Sequence, residues 1–145
     1  MSISDLREKA ESGSVVAQSV LGLSYSYGMG VEIDYKEAFR FLSAASKEGA
    51  PRAMANLAHM HMEGLCIPKN GPEALRLFHA AAEAGEFLAQ IELARIYLYG
   101  VEVAPDPEAA LKWYSAALAQ QGRVEDGEEM REARRYVEAH RKDKG

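Results

Sequence analysis

Apolar residues recur along this chain at helical spacing, in units of one fixed length. Residues 17–21 read Ala-Gln-Ser-Val-Leu, and the same apolar frame returns 36 residues later at Ala53 and again at Ala89. Apolar or small residues in the first unit follow one stripe of a 3.6-residue period, at Ala17, Leu21, Tyr25 and Gly28. Self-similarity at this period predicts helices arranged in three successive repeats.

Each unit reads as a pair of helices. The first helix of every unit runs into a glycine, a residue that ends helices well in the left-handed conformation: Gly28, Gly64 and Gly100. The second helix follows a side chain that caps helix N-termini: Asp34, Asn70 and Asp106. Because one helix pair cannot bury its apolar side alone, successive pairs must stack. We therefore predict an all-α fold, an α-solenoid of about eight helices in stacked antiparallel pairs.

The chain is predicted to form one domain, with three repeats between two capping helices. Leu6 and Gly13 lie 36 residues before Leu42 and Gly49, so the chain begins with an unpaired second helix. The predicted divisions are residues 1–13 for the N-terminal capping helix, 17–52, 53–88 and 89–122 for the repeats, and 123–145 for the C-terminal capping helix and tail.

The C-terminal segment has the pattern of a capping helix. Its thin apolar stripe consists of Met130, Ala133 and Val137. Acidic residues precede this stripe and basic residues follow it, an order that suits the helix dipole; the basic residues are Arg141, Lys142 and Lys144. A last helix with one polar side keeps the open end of a solenoid in contact with water.

The segment AQSVLGLSYSYGMGVEIDYKEAFRFLSAASKEG, residues 17–49, resembles the Sel-1-like repeat, a relative of the tetratricopeptide repeat. The resemblance covers about residues 14–122. The later units depart from the family pattern, since Cys66 and Glu102 replace its second loop glycine and His61 replaces its tyrosine. The resemblance implies a tetratricopeptide-like superhelix and a scaffolding role, in which a curved surface holds partner proteins.

Composition narrows the classes of partner. The chain has 145 residues, is 48% hydrophobic and 27% charged, and carries a net charge of −5, so we predict a globular protein that binds no nucleic acid. The start has no apolar signal-peptide core, and no apolar run approaches membrane-spanning length. With a single cysteine as well, the sequence favours a cytoplasmic protein with no membrane partner.

The stretch AHMHMEGLC, residues 58–66, has the composition of a metal site. On a helix, however, His59 and His61 point about 160° apart and cannot bind one ion. His61 takes the place of Tyr25 in the stripe, which predicts a hydrogen-bonded core histidine. Cys66 has no histidine base at a useful spacing, and His79 is expected at the surface. We predict no metal, no cofactor and no enzymatic activity.

The side of the first helices opposite the stripe is too apolar for an idle surface. Tyrosine and arginine are common anchors of binding surfaces, and methionine adapts to irregular ligands. We call the predicted partner-binding set, expected on the concave side of the solenoid, the first-helix face: Leu23, Tyr27, Arg52, His59, Met62, Arg95, Leu98 and Tyr99. Three of these are expected to donate hydrogen bonds to a partner: Arg52, His59 and Arg95. In contrast, Val16, Leu88 and Ile91 are expected to pack between adjacent first helices.

These observations predict a non-enzymatic scaffold or adaptor that binds a protein or peptide at the first-helix face. The alternative is a self-association module that forms a homo-oligomer through the same face or through the solenoid ends. A monomer is the expected state, with oligomerisation left open. Nothing in the sequence identifies the partner.

Overall fold

A computed structural model describes residues 1–141, and this part of the chain folds into eight α-helices. The prediction of an all-α, α-solenoid fold with about eight helices is confirmed. The helices are α1 Ile3–Glu11, α2 Val15–Tyr27, α3 Tyr35–Lys47, α4 Pro51–Glu63, α5 Gly71–Glu83, α6 Phe87–Tyr99, α7 Pro107–Leu118 and α8 Glu128–Arg141. Lys142 and Lys144, assigned above to the basic end of the last helix, lie outside the described residues.

The chain divides into two compact units. The first extends from Met1 to Ala81 and holds α1 to α4 with most of α5; the second begins at Ala82 and holds α6 to α8.

The predicted start and stop signals act where the sequence places them. Each first helix ends at a glycine in the left-handed conformation, with φ of 70° at Gly28, 69° at Gly64 and 72° at Gly100. Each second helix begins where an Asp or Asn side chain accepts backbone N–H groups of the first turn: Asp34, Asn70 and Asp106. Local chemistry therefore sets the junction between the two helices of each repeat.

The predicted stripe contributes to the core of the first unit, where Leu21 and Tyr25 are buried. Within this unit α2 packs against α1 and α3, α3 packs against α4, and the first helices α2 and α4 are also neighbours. Small residues allow close approach: a methyl group added to Gly22 would lie only 2.5 Å from two Leu42 carbon atoms. The fully buried side chains here include Leu21, Leu42 and Met60.

In the second unit, α8 packs against α7 and also contacts α6. Its predicted apolar stripe is buried, with Met130 and Ala133 at 0% exposure and Val137 at 3%. Gln90 is buried as well; its side chain donates to the Ala82 carbonyl and accepts a hydrogen bond from Gln120. The C-terminal segment thus covers apolar surface of the unit, as a capping helix would.

Candidate binding face

The first-helix face lies on α2, α4 and α6. Four of its side chains are exposed: Tyr27, Arg52, His59 and Tyr99. The other four are half-buried: Leu23, Met62, Arg95 and Leu98. Because the chain divides into two units, the face falls into two separate parts.

In the first unit, Tyr27 and His59 lie together on one cavity of about 250 Å3. The Tyr27 hydroxyl donates to the Asn56 side-chain oxygen at 2.9 Å, and the Asn56 amide donates to the Arg52 carbonyl at 2.8 Å. This relay orients the amide of Asn56 at the cavity wall. The full lining is Ser26, Tyr27, Ile33, Tyr35, Asn56, His59, Met60 and Leu65.

Sequence reasoning missed part of this lining. Ile33 and Leu65 come from the loops that follow the first helices, and Tyr35 opens α3. Helical spacing along the first helices does not indicate these residues, because they lie beyond the helix ends. Three predicted residues do not line this cavity: Leu23, Arg52 and Met62.

In the second unit, one cavity of about 340 Å3 brings together all three predicted residues of that unit. α8 and α7 supply the opposite wall. The full lining is Arg95, Leu98, Tyr99, Tyr114, Glu132, Arg135, Tyr136, Ala139 and His140. The aromatic groups lie in series: the rings of Tyr114 and Tyr136 are tilted by 36° with centroids 4.8 Å apart, and those of Tyr136 and His140 are stacked with centroids 3.9 Å apart.

Arg95, predicted as a donor to a partner, already binds two carboxylates inside the second unit. Its Nε and one terminal nitrogen donate to the two carboxylate oxygens of Glu132 at 2.9 and 2.5 Å. Its other terminal nitrogen donates to Glu92 at 2.7 Å. The sequence does not indicate this pairing, because Glu132 lies 37 residues away on α8, beyond any local pattern.

The ionisation of this cluster follows from its contacts. Burial alone would raise the pKa of the Glu132 carboxyl, but hydrogen bonds from Arg95 and Tyr114 outweigh it and the pKa falls below its ordinary value. Burial and the hydrogen bond to Glu132 raise the pKa of the Tyr114 hydroxyl. At neutral pH the cluster therefore holds a charged Arg95, a charged Glu132 and a neutral Tyr114.

Two residues expected to pack between first helices instead face solvent. Val16 is 76% exposed and Leu88 45% exposed, whereas Ile91 is fully buried as predicted. Val16 and Leu88 are each the second residue of their helix, and Arg52, at the same place in the middle repeat, is exposed too. This first-turn position lies next to an exposed turn and stays open.

The histidine-rich stretch is a helix, and its side chains separate as predicted. His59 opens onto the cavity of about 250 Å3, while His61 lines a different cavity of the first unit. His61 is half-buried and packs edge-on to Phe39, but its Nδ1 is buried with no hydrogen-bond partner among residues 1–141. The Nδ1 of His61 therefore lacks the hydrogen bond predicted for a core histidine, because its surroundings supply no partner to that atom.

Within residues 1–141, no three His, Cys, Asp or Glu side chains gather in a way that could hold a metal ion. In the same part of the chain, no helix combines the length and the apolar character that crossing a membrane requires.

Helix pairs that repeat every 36 residues, with cavities along their first helices, define a helical-repeat protein of tetratricopeptide-like architecture. The Sel1 repeat family model matches residues 15–49, 51–86 and 88–121. The chain belongs to the Sel1 repeat family. The three repeats predicted from the sequence are confirmed.

Solved structures support the same assignment. A Sel1 repeat protein from Oxalobacter formigenes is 35% identical with a TM-score of 0.74, and the match covers 94% of this chain and 96% of that one. The protective antigen c5321 of uropathogenic Escherichia coli strains, which displays an SLR fold, is 29% identical with a TM-score of 0.77. That match covers 95% of this chain and 33% of the antigen. Sel1 repeat proteins are generally protein-interaction scaffolds.

Proposed function

We propose that this protein is a non-enzymatic scaffold or adaptor that binds a protein or peptide through the first-helix face, on the predicted concave side. The observation that carries the proposal is the exposure of two large side chains of this face, Tyr27 at 60% and Tyr99 at 72%. Apolar groups clustered at a surface favour contact with a partner over contact with water.

The two cavities suit the side chains of a peptide better than a whole small molecule. At about 250 and 340 Å3, they lie at or below the small end of drug-sized pockets, which begin at about 300 Å3. Each combines aromatic walls with a few polar groups. A short extended or helical peptide with an apolar anchor and one or two carboxylates fits this mixture.

The donors of the face are more limited than the sequence indicates. Arg95 is held by Glu132 and Glu92, so the carboxylates of a peptide would meet Arg52 and His59 first. Tyr27 and Tyr99 are the anchors because each combines an exposed ring with a hydroxyl.

The proposal is tested by selecting binding peptides from a random library and measuring their affinity for variants by fluorescence polarisation. Tyr27→Ala and Tyr99→Ala should each weaken the best peptide by about 1–3 kcal/mol without lowering the melting temperature. His59→Ala and His79→Ala form a matched pair on a first and a second helix. If His79→Ala lowers peptide affinity more than the two tyrosine variants do, the binding surface lies on the second helices.

Self-association is the second candidate, because a second copy of the chain would also cover the exposed Val16, Tyr27, Leu88 and Tyr99 side chains. Light scattering across a wide concentration range separates the two functions. A monomer at the highest concentration contradicts self-association, and a dimer that dissociates in Tyr27→Ala or Tyr99→Ala contradicts a dedicated peptide site.

A further inference from the structure

The first repeat contains a slot that holds a guanidinium group. Arg7, on α1, donates a hydrogen bond to the Tyr25 hydroxyl and lies 3.2 Å from a carboxylate oxygen of Glu37. The centre of its guanidinium is 5.9 Å from the ring centroids of both Tyr25 and Phe41. An acceptor, a carboxylate and two aromatic faces are the usual surroundings of a bound arginine.

The same slot in the second repeat lacks its arginine. Ser43 stands 36 residues after Arg7, and its short side chain leaves a cavity of about 360 Å3, here called the repeat-2 slot. The lining is Phe39, Ser43, Ser46, Lys47, Met54, Leu57, His61, Glu73, Arg76 and Leu77. No residue of the first-helix face is among them.

Two of the groups that bind Arg7 have counterparts in this slot. Glu73 corresponds to Glu37, and His61 corresponds to Tyr25, whereas Leu77 replaces Phe41, so one of the two aromatic faces is absent. Among residues 1–141 the Nδ1 atom of His61 has no hydrogen-bond partner, so this atom can still accept or donate a hydrogen bond. Glu73 binds Arg76 through two hydrogen bonds.

The carboxylate at this repeat position can serve two arginines at once. In the first repeat, Glu37 binds Arg7 at 3.2 Å and Arg40 at 3.1 Å. Its counterpart Glu73 serves Arg76 alone among the ion pairs of the described residues, and its side chain is 32% exposed. Capacity for a second guanidinium therefore remains.

We propose that the repeat-2 slot binds the guanidinium group of an arginine side chain presented by a partner polypeptide. The arginine would occupy, in trans, the place that Arg7 occupies within the chain one repeat earlier. The site is separate from the first-helix face and gives the scaffold a second point of contact.

The other charges around the slot weaken the binding of a cation. Replacing one of them tests whether the slot binds a cation or an anion. Lys47 stands where Glu11 stands in the first repeat, and Glu11 binds Arg40 at 2.9 Å. The second repeat therefore lacks one carboxylate and carries one extra cation. Replacing Lys47 with Glu should tighten binding of a guanidinium, whereas the same change would weaken binding of an anion.

The test is an NMR titration of the full chain with N-acetyl-arginine amide, observing the His61 ring protons and the backbone amides around Ser43. We expect saturable shifts, and an affinity at least tenfold weaker for the uncharged isostere N-acetyl-citrulline amide. Lys47→Glu should tighten binding severalfold, and Glu73→Gln should abolish it. Ser43→Arg, which restores the first-repeat arrangement, should abolish the shifts and raise the melting temperature.

Three results would overturn the proposal that the slot binds a guanidinium group. The first is the absence of saturation; the second is equal binding of the citrulline compound. The third is a slot that saturates with acetate and weakens in Lys47→Glu, which would make it an anion site. If free arginine binds tenfold more tightly than the capped form, the ligand is the free amino acid and not an arginine of a partner polypeptide. Tyr27→Ala should leave this titration unchanged, so failure of the first-helix face and failure of the slot are distinguishable.

Discussion

His59 and Arg95 occupy the same position in successive repeats, yet their surroundings differ. His59 is exposed at the edge of an open cavity in the first unit. Arg95 is half-buried in the second unit, where Glu132 and Glu92 bind its guanidinium. The repeat position is shared, but the packed neighbour decides what the residue does. A polar group satisfied within the fold has little left to offer a partner.

The neighbour that makes the difference is α8. It contacts α6, covers part of the first-helix face of the second unit, and supplies Glu132. The second unit therefore uses some of its polar surface for folding, whereas the first unit keeps Asn56, Tyr27 and His59 at an open cavity. Changes in α8 should act on stability, and changes in the cavity of the first unit should act on binding.

Deleting residues 123–145 should give the largest effect. The deletion exposes the apolar surface that Met130, Ala133 and Val137 cover. At about 25 cal/mol per Å2, a few hundred Å2 of exposed apolar surface costs several kcal/mol, comparable to the whole stability of a small domain. We expect aggregation or a much lower melting temperature by circular dichroism.

A point substitution in α8 tests the contribution of its buried side chains without shortening the chain. Met130→Ala should cost about 2–5 kcal/mol of unfolding free energy, because the Met130 side chain is fully buried. Glu138→Ala, on the exposed side of α8, should change it by less than about 0.5 kcal/mol. Equal effects in urea unfolding would mean that the buried side of α8 does not stabilise the unit.

The contrast between Arg95 and His59 is tested directly by truncating both. Arg95→Ala leaves the half-buried Glu132 carboxylate without its strongest partner, so we expect a loss of about 1–3 kcal/mol. His59→Ala removes an exposed ring and should cost less than about 0.5 kcal/mol. Similar losses in chemical unfolding would show that α8 does not make the two positions different.

The same cluster predicts a pH dependence of stability. Because the pKa of Glu132 is lower in the folded protein than in the unfolded chain, its contribution is present above the unfolded pKa, about 4.3. That contribution is lost as pH falls through the lower, folded pKa. Glu132→Gln should lower stability at pH 7 by about 1 kcal/mol or more, and by much less in strong acid. A variant that loses the same stability at pH 7 and pH 2.5 would contradict the assignment.

Much of the fold could be predicted from the sequence because its signals are local. Gly28 and Asp34 end one helix and begin the next through contacts a few residues long, and the 36-residue period repeats those contacts. The candidate site was less predictable. The ion pair of Arg95 depends on a residue of α8, and the exposure of Val16 depends on where the neighbouring helices end.

His61 illustrates the same limit from inside a helix. The 36-residue period predicts its place in the stripe, but the missing partner of its Nδ1 depends on what the preceding second helix supplies. In the first repeat that helix supplies Arg7, and in the second it supplies Ser43. A repeat pattern predicts where a side chain lies. Which residue of the neighbouring helix lies beside it is seen only in the structure.

The two departures from the family's loop pattern give the smallest predicted effect, with one test in each unit. Cys66 and Glu102 adopt φ of 67° and 64°, the left-handed conformation that Gly30 adopts at 75° in the first repeat. Side chains with a Cβ are strained there by about 1–2 kcal/mol, and glycine regains part of this after its larger entropy loss on folding. Cys66→Gly and Glu102→Gly should each raise the unfolding free energy by about 0.5–1 kcal/mol in chemical denaturation. Gly30→Ala is the matched reverse change and should lower it; if all three variants move in the same direction, backbone conformation is not what governs these loops.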